Sequence, residues 1–100
     1  MHVFGGEVMN SIAILMGHPD PQDLAPIITE LLEKKRRKMG ISHDTLARRA
    51  KIHRSTISRV ESGSINGTLI VFLAMAHALE MSLGDVIKRA ERKWQRNRSR

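Results

Sequence analysis

The chain has no cysteine among its 100 residues, which excludes a disulfide framework and any thiolate metal site. Aromatic residues are scarce too, with only Phe4, Phe72 and Trp94. Binders of single-stranded nucleic acid stack bases on aromatic side chains, so that class is disfavoured. No apolar run reaches the roughly 20 residues that a membrane-spanning helix needs. The first 21 residues hold neither lysine nor arginine. A secretory signal needs a basic segment ahead of its apolar run (here Ile12–Met16), so export is not expected and the cytoplasm is the expected compartment. Catalytic patterns are missing as well. Five histidines and ten acids are present, yet they form no His-x-x-x-His pair and no paired-carboxylate site, and no Gly-rich phosphate loop appears. His53 lies near Ser55 only as neighbours on a helix surface. No enzymatic activity, metal or cofactor is expected.

What is present is positive charge. The net charge is +7, and it is spread unevenly. Residues 1–21 carry −2, residues 22–87 carry +3 with ten bases against seven acids, and residues 88–100 carry +6 with seven bases against one acid. A basic body with a strongly basic tail calls for a polyanionic partner, and nucleic acid fits better than a membrane because the tail lacks a sustained apolar face.

One hundred residues with 41% apolar content form one domain around a single modest core. Residues 1–18 are broken by Gly5, Gly6 and Gly17 and show no sustained period. They read as a poorly ordered arm, or as a segment that pairs as a short strand or covers a partner subunit. Met9 and Met16 also leave a downstream start open. The three prolines, Pro19, Pro21 and Pro26, mark the boundary before the folded part. Pro26 inside a helix would lose a hydrogen bond, so it is expected in the first turn of a helix over about 26–39. Ile28, Leu31, Leu32 and Met39 give that helix its buried stripe, and Gly40 stops it. Its last turn, Lys34-Lys35-Arg36-Arg37-Lys38, either suits the negative helix end as a solvated face or contacts phosphate.

The most informative stretch runs from Ser42 to Gly63. Ser42 is a good N-cap for a helix over 43–50, with Leu46, Ala47 and Ala50 as its apolar stripe. Lys51-Ile52-His53 is a turn. A second short helix over 54–61 turns Ile57 and Val60 inward and ends at Gly63. Its outward residues Arg54, Ser55, Ser58 and Arg59 can all hydrogen-bond, and none is acidic. Thr68 caps a fourth helix over 69–79, with Leu69, Phe72, Leu73, Ala76 and Leu79 toward the core. That helix is apolar nearly all round, which suggests packing on both sides and hence a subunit interface. Ser82 and Asp85 resemble a capping box at the start of a fifth helix over 83–94, striped by Leu83, Val86, Ile87, Ala90 and Trp94. Trp94 reads as a packing or dimer residue rather than a base-stacking one. Residues 95–100 are left as a basic tail.

The stretch from Ser42 to Gly63 resembles the helix-turn-helix of the phage Cro/repressor (XRE-like) family of DNA-binding proteins. Ala47, Ala50, Ile57 and Val60 match its structural apolar positions, and Arg54-Ser-Thr-Ile-Ser-Arg-Val-Glu-Ser-Gly63 its recognition helix. The likeness extends from about Ile27 to Ile87. It implies an all-α, compact five-helix bundle, a lambda-repressor-like DNA-binding domain with an N-terminal arm (1–21) and a basic C-terminal extension. Lys51 stands where the family usually has Gly, so it is expected to adopt a positive φ at about 1 kcal/mol. The resemblance also implies a structural ion pair between Arg36 and Glu61.

For function, the resemblance implies a homodimeric repressor that reads double-stranded DNA on a palindromic operator, with no small-molecule cofactor. Base contacts are expected from Arg54, Ser55 and Arg59. Phosphate contacts are expected from Ser42, His43, His53, Thr56, Ser58, Ser64 and Asn66. His43 occupies a family position usually filled by Gln, and its protonation would tighten binding as pH falls. Arg96, Arg98 and Arg100 add sequence-blind attraction. The alternative is an antitoxin-type or other protein-interaction module that also binds DNA, with a partner held by the N-terminal arm.

Overall fold

Asp20 starts the first helix. Its side chain accepts a hydrogen bond from the Asp23 N–H at 3.1 Å, and Pro21 takes the first helical position, where a missing N–H costs nothing. In the computed structural model, which describes Gly17 and residues 19–98, five helices follow in order: α1 (Pro21–Lys38), α2 (His43–Ala50), α3 (Arg54–Ser62), α4 (Leu69–Ala78) and α5 (Leu83–Arg98). No strand occurs among the described residues. The fold is all-α, as expected.

Helix α1 begins five residues ahead of the expected Pro26. The ring of Pro26 sits inside the helix and removes the N–H that would serve the Gln22 carbonyl. Both residues are exposed, so water can satisfy that carbonyl. The Asp20 cap and Pro21 together outweigh one lost bond at the surface. Helix α5 also runs further than expected, through Arg98. The Arg98 guanidinium lies 4.9 Å from the Trp94 ring centre, one helical turn back, and cations suit a helix C-terminus. The basic segment is therefore helical over 95–98 rather than a tail, and residues 99–100 lie outside the described part. The arm over residues 1–16 lies outside it too.

One core joins all five helices. Leu32, Leu46, Ile57, Met75, Leu79 and Val86 are fully buried at its centre, with Ala90 beside them. Helix α1 packs along α5, α2 packs on both α3 and α4, and α1 also touches α3. A Lys93–Glu30 ion pair ties α5 to α1 at the surface. Met39 is half-buried at the end of α1 instead of joining the central stripe.

Helix α4 departs most from expectation. Phe72, Ala76 and Leu79 are buried, but the fourth core residue is Met75, while Leu69 and Leu73 are 66% and 48% exposed. A helix apolar on every side offers no periodicity from which to choose a face. Packing against α2 and α5 chose it.

The helix ends share one device. Gly40, Lys51, Gly63 and Glu80 all have positive φ, and they close α1, α2, α3 and α4 in turn. At Lys51 (φ 58°) the backbone N–H returns to the Ala47 carbonyl, and at Gly63 the Ser64 N–H returns to that of Arg59 at 2.9 Å. Lys51 is thus left-handed as expected, and Glu80 (φ 59°) is a second non-glycine in that region. Both residues are exposed and carry the Cβ strain that glycine avoids. Lys51→Gly and Glu80→Gly are each expected to raise unfolding free energy by up to about 1 kcal/mol, measurable as a higher urea midpoint at unchanged slope.

Candidate nucleic-acid interface

Two short helices meet at the turn Lys51–Ile52–His53 and fix the site. Ser42 starts α2 by accepting from the Thr45 N–H at 3.1 Å. Leu46 and Ala47 on α2 face Ile57 and Val60 on α3, and Leu46 and Ile57 are wholly shielded from solvent. Burial of that face turns the other side of α3 outward. Arg54, Ser55, Ser58 and Arg59 are all exposed there, with Thr56 half-buried at the edge. The three proposed base-reading residues therefore share one solvent-facing surface with the N-terminal turn of α3.

The acid in this helix points the other way. The Glu61 side chain is 6% exposed and accepts three hydrogen bonds. Its Oε2 accepts from Arg36 Nε at 2.7 Å, and its Oε1 accepts from Arg36 Nη2 at 2.9 Å and pairs with His43 Nε2 at 2.8 Å. Arg36, itself buried, also donates Nη1 to the Ile41 carbonyl at 2.8 Å. The expected Arg36–Glu61 pair thus forms, bidentate, with His43 as a third member. Burial alone pushes the Glu61 carboxyl up. The hydrogen bonds and charges of Arg36 and His43 outweigh it and hold the carboxyl below its ordinary range. The hydrogen bond to Glu61 raises the Arg36 guanidinium against the opposing effect of burial.

Other predicted phosphate ligands are distributed differently. The Ser42 hydroxyl caps α2 and touches Thr45 Oγ1. His43 has Nε2 engaged with Glu61, so a phosphate contact from this residue falls to Nδ1 or to the backbone N–H groups of the first turn of α2. His53 holds the N-cap position of α3 without a side-chain cap and is exposed. At the end of α3, Ser62 Oγ donates to the Arg59 carbonyl and lies 2.9 Å from Ser64 Oγ in the loop that follows. Asn66 is exposed in the same loop. Of the basic run ending α1, Arg36 is internal, Arg37 pairs with Glu33, and Lys34 and Lys38 are exposed.

Two contacts at this surface have no local sequence signal: His43 with Glu61, and a second ion pair. Arg54 Nε lies 3.1 Å from Asp44 Oδ1, joining the start of α3 to the start of α2. The two residues are ten apart in sequence, and only the helix-turn-helix crossing brings them together.

Among the described residues no group of His, Cys, Asp and Glu is arranged to hold a metal. No single helix among them is long and apolar enough to cross a membrane. The arrangement is that of a helix-turn-helix DNA-binding domain: a short polar helix, cationic and free of outward acids, presented by a buried apolar crossing. A family model described as helix-turn-helix matches residues 32–86, more than half of the chain. The chain belongs to the Cro/C1-type (XRE-like) helix-turn-helix family and is a DNA-binding transcription regulator of that type. No curated protein and no solved structure matches it significantly.

Because Glu61 has a lowered carboxyl value when folded, its contribution to stability is present above the ordinary carboxylate value of 4.5 and is lost as pH falls through the lowered one. Glu61→Ala leaves Arg36 buried without its carboxylate, at an expected cost of about 3 kcal/mol or more at neutral pH. The gap between wild type and variant should narrow on acidification below the carboxylate range, as read by urea denaturation across pH.

Proposed function

We propose that the protein is a sequence-specific repressor that binds a palindromic operator as a homodimer, with α3 lying in the major groove. The observation that carries this reading is the sorting of charge on α3. Its only acid is turned inward, ion-paired with Arg36 and in contact with His43, while Arg54, Ser55, Ser58 and Arg59 stay exposed. An α-helix fits the major groove, where each base pair shows a distinct donor and acceptor pattern. Arg54 and Arg59 are assigned to base edges, an arginine pairing bidentately with guanine O6 and N7. Ser55 adds a donor or acceptor of lower selectivity. Ser42, His43, His53, Thr56, Ser58, Ser64 and Asn66 are assigned to phosphates, which fix register without reading sequence. Blocking polymerase by occupancy is the simplest mechanism for such a domain.

Dimerisation is supported by the apolar surface. Ile65, Leu69, Ile70 and Leu73 are the large apolar side chains left exposed among the described residues, and all lie within one short segment. Two recognition helices about 34 Å apart would then face successive turns of one DNA side. The same patch favours the second reading, a DNA-binding module of antitoxin type whose apolar face takes a different protein.

The test is a footprint of the purified protein on DNA upstream of its own gene, at two salt concentrations, with Arg54→Ala and Arg59→Ala beside it. A symmetric protected site is expected, with affinity lowered about tenfold in each variant. Diffuse, salt-sensitive protection indifferent to both substitutions would refute base reading by α3. Leu69→Ser with Ile70→Ser is expected to yield a monomer by light scattering. A variant that stays dimeric and keeps its footprint would move the patch to a different protein partner.

A further inference from the structure

The Asp44–Arg54 pair raises a question of charge. Asp44 is 69% exposed in its side chain and sits in the first turn of α2, on the surface assigned to DNA. A carboxylate there is repelled by phosphate unless it is neutralised, and Arg54 neutralises it. At an exposed site such a pair contributes little to stability. Its value changes when DNA covers it, because an ion pair taken out of water is stronger.

The atoms in contact matter. Asp44 takes Nε of Arg54, the inner nitrogen of the guanidinium, at 3.1 Å. Nη1 and Nη2 then form the outer edge of a planar group whose rotation about the last side-chain bonds is restrained. Those two nitrogens are the ones that meet guanine O6 and N7 end-on. A free arginine has many rotamers and can also turn to a phosphate, and fixing it costs conformational entropy on binding. Asp44 removes part of that cost beforehand and disfavours the phosphate alternative, since it would itself be left uncompensated.

We propose that Asp44 is a specificity-determining positioning residue: through Nε it holds Arg54 in the end-on orientation that selects guanine at one position of each half-site. This rests on Arg54 reading a base, as argued above.

The test is selection of binding sites from a random duplex library by the full-length protein, followed by affinities for every single-base change of the enriched site. Wild type, Arg54→Ala, Asp44→Ala, Asp44→Asn and the Arg54→Ala/Asp44→Ala double variant are compared. Arg54→Ala identifies the position that Arg54 reads. Asp44→Ala is expected to lower guanine preference at that same position about tenfold, to leave the other positions unchanged, and to bind random DNA at least as well as wild type. Asp44→Asn, which keeps an acceptor, should retain part of the preference, and the double variant should match Arg54→Ala. An intact preference in Asp44→Ala, or an even loss at all positions, overturns the proposal while leaving base reading by Arg54 in place. No change of motif in Arg54→Ala removes the base-reading assignment and the proposal together.

Discussion

One carboxylate ties together the first three helices of this domain. Glu61, at the close of α3, receives two hydrogen bonds from α1 through Arg36 and one contact from the first residue of α2 through His43. Arg36 extends the link to the carbonyl of Ile41 in the α1–α2 loop. Three helices and a loop thus converge on a group that is almost wholly out of water. A cluster of this kind is costly to break from one side, because the remaining charge stays buried. No buried side-chain nitrogen or oxygen among the described residues lacks a partner. The apolar core beneath, centred on Leu46 and Ile57, sets the distance between α2 and α3. The ion cluster, being directional, sets their rotation.

That division of labour has a consequence for function. A helix of nine residues such as α3 cannot hold its own shape in water. Its inward apolar face and its neutralised C-terminal acid are what let the outer face be cationic and exposed. The same segment supplies structure from Ile57, Val60 and Glu61 and an exposed polar surface from Arg54, Ser55 and Arg59, interleaved residue by residue. Asp44 belongs to this economy as well, as an acid kept beside the surface only in company with an arginine.

The sequence made much of this legible. Ser42 and Thr68 announce helix starts and both accept the expected backbone N–H, at 3.1 and 3.2 Å. Lys51 was expected to be left-handed and is. The paired stripes Leu46/Ala47 and Ile57/Val60 give the crossing. Elsewhere local rules gave the wrong boundary. Pro26 taken alone argues against a helix that starts before it, and the Asp20 cap with Pro21 overrode that single lost bond. The run of arginines after Trp94 looked like a solvated tail, and an Arg98–Trp94 contact keeps it helical.

What the chain determined by itself was the set of helices, most of their caps and stops, and the family to which the crossing belongs, because these follow from contacts within a few residues. Tertiary structure decided the rest. Helix α4 is apolar on all sides, so only its neighbours could choose Met75 for the core and leave Leu69, Ile70 and Leu73 in solvent. His43 and Glu61 are 18 residues apart, and no local pattern marks them as partners. Asp44 and Arg54 belong to different helices, and their contact exists only at the angle that the buried crossing imposes. Short-range periodicity fixes which faces are apolar. Only the packing of those faces fixes which polar groups meet.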